Sequence, residues 1–222
     1  MSPAEWDALR LSALVGLGAV ALALPPAVLL GHVVARGSFR GRALLDAVLL
    51  LPLVLPPVVT GYALLVLFGR GGPLGDALAL FGVEVAFTWR AAVLASAVVA
   101  LPLAYRACRL AFEGVDVRLV GAARTLGASR LDAFLTVTLP LARGGVVAGA
   151  VLAFARSLGE FGATMVVAGN VPGETRTLPI AVWSTLQAPD GLAGAWRLAV
   201  IASVLAIGAL VAGERLARQR AR

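Results

Sequence analysis

Long apolar stretches alternate with short polar connections along the whole chain. Apolar runs cover residues 11–35, 43–68, 90–110, 144–168 and 192–213. Each approaches or exceeds the ~20 residues a helix needs to cross a bilayer core. A further stretch, 177–188, is apolar but too short to span, so the pattern predicts a short or re-entrant helix buried against the others. The expected architecture is an all-α polytopic membrane protein of about five transmembrane helices. It is read as a single membrane domain over residues 1–222.

Polar or helix-breaking residues interrupt several of these runs. Pro25 and Pro26 lie inside the first run, and Pro52, Pro56 and Pro57 lie inside the second. Each proline removes a backbone donor from the helical ladder. The second run reads either as a simple kinked helix or as a broken helix lining a path, with Thr60 and Tyr62 supplying polar groups beyond the break. In the fourth run Arg156 and Glu160 stand four residues apart, which places them on one helical face. Ionisable groups at that depth are costly and face protein or a watery cavity. They form a packing ion pair, or Arg156 lends positive potential to an anion path. Gly144, Gly145, Ala148, Gly149, Ala150 and Ala153 crowd the same run and suit close helix–helix approach.

Residues 113–140 break the pattern differently. Glu113, Asp116, Arg118, Arg124, Arg130 and Asp132 exclude a membrane span, yet Leu119, Ala122, Ala123, Leu126, Leu131 and Phe134 recur at helical spacing. The segment reads as two short helices held at a membrane surface, a form suited to docking. Outside the spans, residues 76–81 are expected to form a short interfacial helix, and 169–176 a polar turn.

Composition agrees with this picture. Hydrophobic residues make up 60% and charged residues 14% of the 222-residue chain, with a mean hydropathy of +0.93. The formal net charge of +7 does not point to nucleic acid, because the arginines cluster in connections and at the C-terminus. Arg36, Arg40, Arg42, Arg106 and Arg109 mark cytoplasmic connections, and Arg215, Arg218, Arg220 and Arg222 place the C-terminus inside. The N-terminus, with Glu5 and Asp7 against Arg10, is expected outside and lacks the positive start of a cleaved signal peptide. The first run is therefore read as a permanent span. Cys108, the sole cysteine, excludes an internal disulfide and reads as a small core residue.

Catalytic patterns are missing. The sequence has no H-E-x-x-H, no G-x-S-x-G, no metal-ligand cluster and no G-x-x-x-x-G-K-[ST] phosphate loop. The one histidine, His32, near the inner end of the first span, reads as a packing or interfacial residue. Spans without an energy source point to a partner that supplies one. An intramembrane enzyme would need a reactive group beyond the Arg156–Glu160 pair, and a passive channel would have no use for a docking hairpin.

The run from Gly121 to Pro140, GAARTLGASRLDAFLTVTLP, resembles the E-A-A-x-x-x-G…L-P signature of permease subunits of bacterial ABC importers. Ala122, Ala123, Gly127, Leu139 and Pro140 match in order and spacing, while Gly121 stands where the motif often has Glu. The resemblance implies a coupling helix seated in a groove of a cytoplasmic ATPase, carried by Gly121, Ala122, Ala123, Arg124, Leu126, Gly127, Ala128, Leu139 and Pro140. The runs LLPLVLPPVVTGY, RLAFEGVDVRL, FARSLGEFGATMVVAGN and PGETRTLPIAVW are similar to those of permeases of molybdate importers.

That family implies a type I ABC importer permease fold in the bacterial inner membrane, acting as a homodimer by alternating access. The implied partners are a second copy, cytoplasmic ABC ATPase subunits, a periplasmic molybdate-binding protein and membrane lipid. No cofactor is expected on this chain, and ATP and Mg would be used by the partner ATPase. Thr60, Tyr62, Arg156, Ser157, Glu160 and Thr164 are the candidate translocation-path residues. Tungstate and sulfate permeases of the same fold are the alternatives.

Overall fold

The computed structural model describes residues 2–219, and every regular element in that range is helical. Arg220 and Arg222, two of the charges assigned to an inner C-terminus, lie outside the described residues. Among the described residues, four helices are long and apolar enough to cross a membrane, or five if one sharply bent pair is counted as a broken span.

The first helix, α1 (Pro3–Arg36), starts before the apolar run does. Ser2 and Glu5 form a capping box that satisfies backbone donors which would otherwise be unpaired, so the helix begins at Pro3. Pro25 and Pro26 lie inside it without ending it.

The second run is broken. Helix α2 (Arg42–Val54) and helix α3 (Pro57–Phe68) meet at 109° around Leu55 and Pro56. Pro57 cannot donate to the ladder of α2, but it fits the first turn of α3, where no partner is needed. Pro52, by contrast, is accommodated within α2. A gentle kink is excluded by this geometry. The short outer helix α4 spans Pro73–Ala79, earlier than the expected 76–81, because Pro73 likewise opens it.

Helix α5 (Trp89–Glu113) is the central pillar, with Tyr105, Cys108 and Phe112 fully buried along it. It packs against α1 and against α8 (Leu139–Leu158). The α5–α8 seam is made by small residues: a Cβ on Gly145 would stand 2.2 Å from Ala111 Cβ. One on Gly149 would stand 3.1 Å from the Ala104 carbonyl oxygen and 3.3 Å from Ala107 Cβ. The backbones approach closely there because these side chains are absent or minimal.

Two expectations are corrected in the second half. Residues 113–140 are not two independent short helices. Helix α6 (Val117–Thr125) is separate, but α7 (Arg130–Ala133) runs through a π-helical segment, Phe134–Thr138, directly into α8. The resulting spanning helix is Arg130–Leu158, so the second arm of the hairpin is the start of a span.

The run 144–168 is not one span either. It ends at Leu158, and Gly162–Val167 forms a separate short helix, α9. Glu160 lies in the break and turns its carboxylate to the start of α9, where the Ala163 N–H donates to its Oε1 at 2.9 Å.

The expected short helix appears as α10 (Leu178–Leu186), with Leu178, Ile180 and Ala181 buried. Its first N–H, from Leu178, donates to Ser12 Oγ of α1 at 2.7 Å. The last helix, α11 (Leu192–Gln219), packs on α8 and α10. Glu5 at the start of α1 pairs with Arg197 near the start of α11, with two guanidinium nitrogens donating to Oε1. Those two helix ends therefore lie together.

Candidate coupling and translocation sites

The coupling candidate is α6 with the turn that follows it. Asp116 caps the helix, its side chain accepting from the Arg118 N–H at 2.8 Å. The far end stops at Leu126, where the Ala122 and Arg124 carbonyls accept from the Leu126 N–H. Gly127 then adopts φ +97°, in the left-handed region that glycine enters without a Cβ penalty. The Ala128 N–H returns to the Ala123 carbonyl at 3.1 Å, closing the helix end. Ser129 restarts the chain as a capping box with Asp132. The sequence thus produces helix, reversal and helix from consecutive local signals.

This element presents apolar and small residues beside the exposed arginines Arg118, Arg124 and Arg130. Leu126 is 88% exposed at the tip, with Leu119 and Leu131 also exposed. No atom of the described residues lies within 4 Å of where a Cβ on Gly121 or Gly127 would be. Gly121 and Ala122 are exposed and Ala123 and Ala128 are half-buried, so small side chains and an exposed leucine share the outer surface with Arg118 and Arg124. Leu139 is half-buried and Pro140 exposed at the first turn of α8, at the other end of the π segment from α7. The structure therefore splits the candidate coupling residues: Gly121 through Ala128 make up the end of α6 and the turn after it, while Leu139 and Pro140 belong to the spanning helix.

Three sets of interactions attach this element to the core, and the sequence reading assigned none of them. Arg36, at the end of α1, donates through Nη2 to the Val115 carbonyl at 2.6 Å. Asp46 of α2 accepts from the Tyr105 hydroxyl at 2.7 Å and pairs with Arg109 Nη1 at 2.7 Å. Arg109 also reaches Glu113 at 2.9 Å, and Arg42 lies 3.6 Å from the same carboxylate. His32, Phe112 and Phe134 stack as a ring cluster with centroids 4.7 to 6.0 Å apart. The i, i+4 spacing of Arg109 and Glu113 was a usable signal, but Asp46 carried none, since its partners lie 59 and 63 positions later.

The candidate path residues fall into two groups. Arg156 and Glu160 pair at 2.9 Å, as their spacing predicts, but Glu160 has left the helix that carries Arg156. Its side chain is only 2% exposed and accepts from both Arg156 and the α9 backbone. Ser157 spends its hydroxyl on the Ala153 carbonyl at 2.8 Å. Thr60 and Thr164 are buried, and their hydroxyls have no hydrogen-bond partner among the described residues.

The elements that carry these two threonines pack tightly. A Cβ on Gly61 would lie 2.6 Å from the Ala163 carbonyl oxygen. Tyr62 is 62% exposed on the surface of α3, so it is not enclosed with Thr60. No group of His, Cys, Asp and Glu among the described residues could hold a metal ion.

A sharply bent helix pair that makes at most one broken span, a short element on a tight reversal, and tightly packed central helices together give the fold of an importer-type permease. Two solved structures share this overall fold. The MetNI methionine ABC transporter in inward-facing conformations matches at TM-score 0.70 and 20% identity, with all of both chains covered. A bacterial alginate ABC transporter, solved with an alginate pentasaccharide-bound periplasmic protein, matches at TM-score 0.75 and 16% identity over 99% of this chain and 80% of that one.

The chain belongs to the family of binding-protein-dependent transport system inner membrane components, whose model matches residues 27–221. It is 54% identical over 215 residues to the molybdenum transport system permease protein ModB of Escherichia coli strain K12, covering 96% of this chain and 94% of that one. The ModB protein of Haemophilus influenzae is 47% identical over 97% of this chain and 94% of its own length. A putative molybdenum transport system permease protein of Bacillus subtilis is 45% identical over 78% of this chain and 77% of its own.

Proposed function

We propose that this chain is the permease subunit of an ATP-driven importer that carries molybdate across the inner membrane by alternating access. The observation that carries the proposal is the 54% identity, over 96% of the chain, to a molybdenum transport permease. The working unit is a homodimer with two cytoplasmic ATPase subunits, supplied by a periplasmic molybdate-binding protein. ATP and Mg are used by the ATPases, and this chain binds neither. The N-terminus is periplasmic and the C-terminus cytoplasmic. Supporting this orientation, Arg36, Arg42, Arg109, Arg118, Arg124 and Arg130 gather at or beside the end that carries α6. Exposed apolar residues along α11, such as Val204 and Ile207, face lipid.

In this reading α6 is the lever. The ATPase grips the exposed leucine and the small-residue surface, as a groove takes an amphipathic helix. Displacement of α6 reaches α5 through residues 114–116, and α8 through the continuous α7 and π segment. The Arg36–Val115 bond carries it to α1, and the Asp46–Tyr105–Arg109 cluster carries it to α2. The two breaks, at Pro56 and at Glu160, let α3 and α9 move as a packed unit relative to the long helices. The unpartnered hydroxyls of Thr60 and Thr164 are available to an oxyanion that has shed water, with Arg156 as the nearby positive charge.

The test is reconstitution with the ATPase in liposomes and addition of binding protein loaded with molybdate, tungstate or sulfate. Molybdate-loaded binding protein is expected to stimulate ATP hydrolysis and uptake. Stimulation by sulfate-loaded protein alone would overturn the substrate assignment, and hydrolysis indifferent to every loaded protein would overturn the importer reading.

A further inference from the structure

Behind the coupling helix lies a cavity of about 290 Å³ that the transport cycle described above leaves unused. Three elements contribute to it at helical spacing. His32 and Arg36 come from one face of α1, Arg124 from the last turn of α6, and Arg130, Phe134 and Thr138 from the α7–π segment. None of the three guanidinium groups makes a salt bridge to a carboxylate among the described residues, and Arg36 spends one nitrogen on the Val115 carbonyl. His32 Nδ1 is buried with no hydrogen-bond partner among the described residues.

Three arginines line one hollow, Arg36 half-buried and Arg124 and Arg130 exposed, so the hollow is positive in sign, and a buried ring nitrogen there is left unsatisfied. A π-helical turn opens the wall just where Thr138 lines it, and such turns recur at binding sites. Arginine forks match the oxygens of a phosphate group two at a time, which lysine does not.

We infer that this cavity is a binding site for a phosphate group at the cytoplasmic surface. The group is either the headgroup of an acidic phospholipid or free inorganic phosphate. Arg124 and Arg130 straddle the Gly127 turn, so an anion held between them clamps the two arms of the coupling element together and to the end of α1. Occupancy therefore stiffens the lever. Basic pockets between spanning helices on the cytoplasmic side suit acidic headgroups, and the apolar Phe134 wall suits the first carbons of a lipid. The inference stands apart from which oxyanion is transported.

The experiment reads binding, not transport. The full chain, purified in neutral detergent without the ATPase, is titrated with inorganic phosphate against chloride of matched ionic strength. In parallel it is placed in nanodiscs of phosphatidylglycerol or of phosphatidylcholine, and thermal unfolding is followed in each case. The double variant Arg124→Gln/Arg130→Gln is compared with Arg118→Gln, which removes a neighbouring exposed arginine outside the cavity.

Stabilisation by phosphate in the wild type and Arg118→Gln, weakened about tenfold or more in apparent affinity in the double variant, supports the site with free phosphate as its ligand. Stabilisation only by phosphatidylglycerol, lost in the same double variant, supports it with a headgroup as the ligand. Arg130→Lys, which keeps the charge but loses the fork, is expected to fall between the two and guards against a folding defect in the double variant. Equal responses in all variants would overturn the inference. So would a double variant that assembles poorly with the ATPase while its phosphate and lipid responses match the wild type, since the arginines would then serve a carboxylate of the ATPase.

Discussion

The α5–α8 seam and the α6–α7 turn both depend on glycine, for opposite reasons. At Gly145 the backbone is ordinary helix, and the neighbour Ala111 leaves no room for a side chain. At Gly127 no atom of the described residues is near, and the backbone itself, at φ +97°, is strained by a Cβ. One position protects a dry contact between long helices, and the other sets the direction of a lever that must stay exposed. Stability resides in the first region, and communication with a partner resides in the second.

That contrast is open to attack by substitution. The largest effect is expected at the seam. Gly145→Val forces α5 and α8 apart and should cost about 3 kcal/mol, the upper end for overpacking, seen as a lowered Tm and poor recovery of the folded protein. A variant that kept its Tm would show that the seam is not the tight contact described here. Arg156→Gln, on the same helix, leaves the Glu160 carboxylate with only the Ala163 N–H and should cost about 2 kcal/mol. Lower uptake at unchanged Tm would instead assign Arg156 to the anion.

At the turn the pattern should reverse. Gly127→Val strains the backbone by about 1–2 kcal/mol, less than the seam loses, yet should cut stimulation of ATP hydrolysis by loaded binding protein about tenfold or more. Unimpaired stimulation would remove the lever role. The smallest effect is expected for Gly121→Glu, which restores the residue common in the coupling motif. With no atom of the described residues within 4 Å of its Cβ position, the change should leave unfolding stability within about 0.5 kcal/mol of the wild type, read as a nearly unchanged Tm. Any change in ATPase coupling then reports the contact this chain lacks.

Much of the seam was legible in the sequence, because Gly145 and Gly149 recur at one helical turn among small neighbours. The turn was legible through Ala122, Ala123, Gly127, Leu139 and Pro140, whose order and spacing resemble a known motif. The continuity of α7 into α8 was not, because charges at Arg130 and Asp132 resemble the end of a membrane run. In the fold they are the first turn of a helix that protrudes beyond its apolar length. Glu160 misled in a similar way. Its i+4 spacing from Arg156 is helical, and the pair does form, but the carboxylate also accepts from the Ala163 N–H and the chain leaves the helix at Leu158.

The sequence by itself determined which stretches are apolar enough to span, where proline forces a break, and where the chain must reverse. Those are local matters of hydropathy, missing backbone donors and the steric freedom of glycine. Only the tertiary structure decided that Asp46 joins Tyr105 and Arg109, that Arg36 holds the Val115 carbonyl, and that His32 and three arginines share one cavity. Those pairings link residues far apart in the chain, and no local preference fixes the crossing of helices that brings their polar groups within reach.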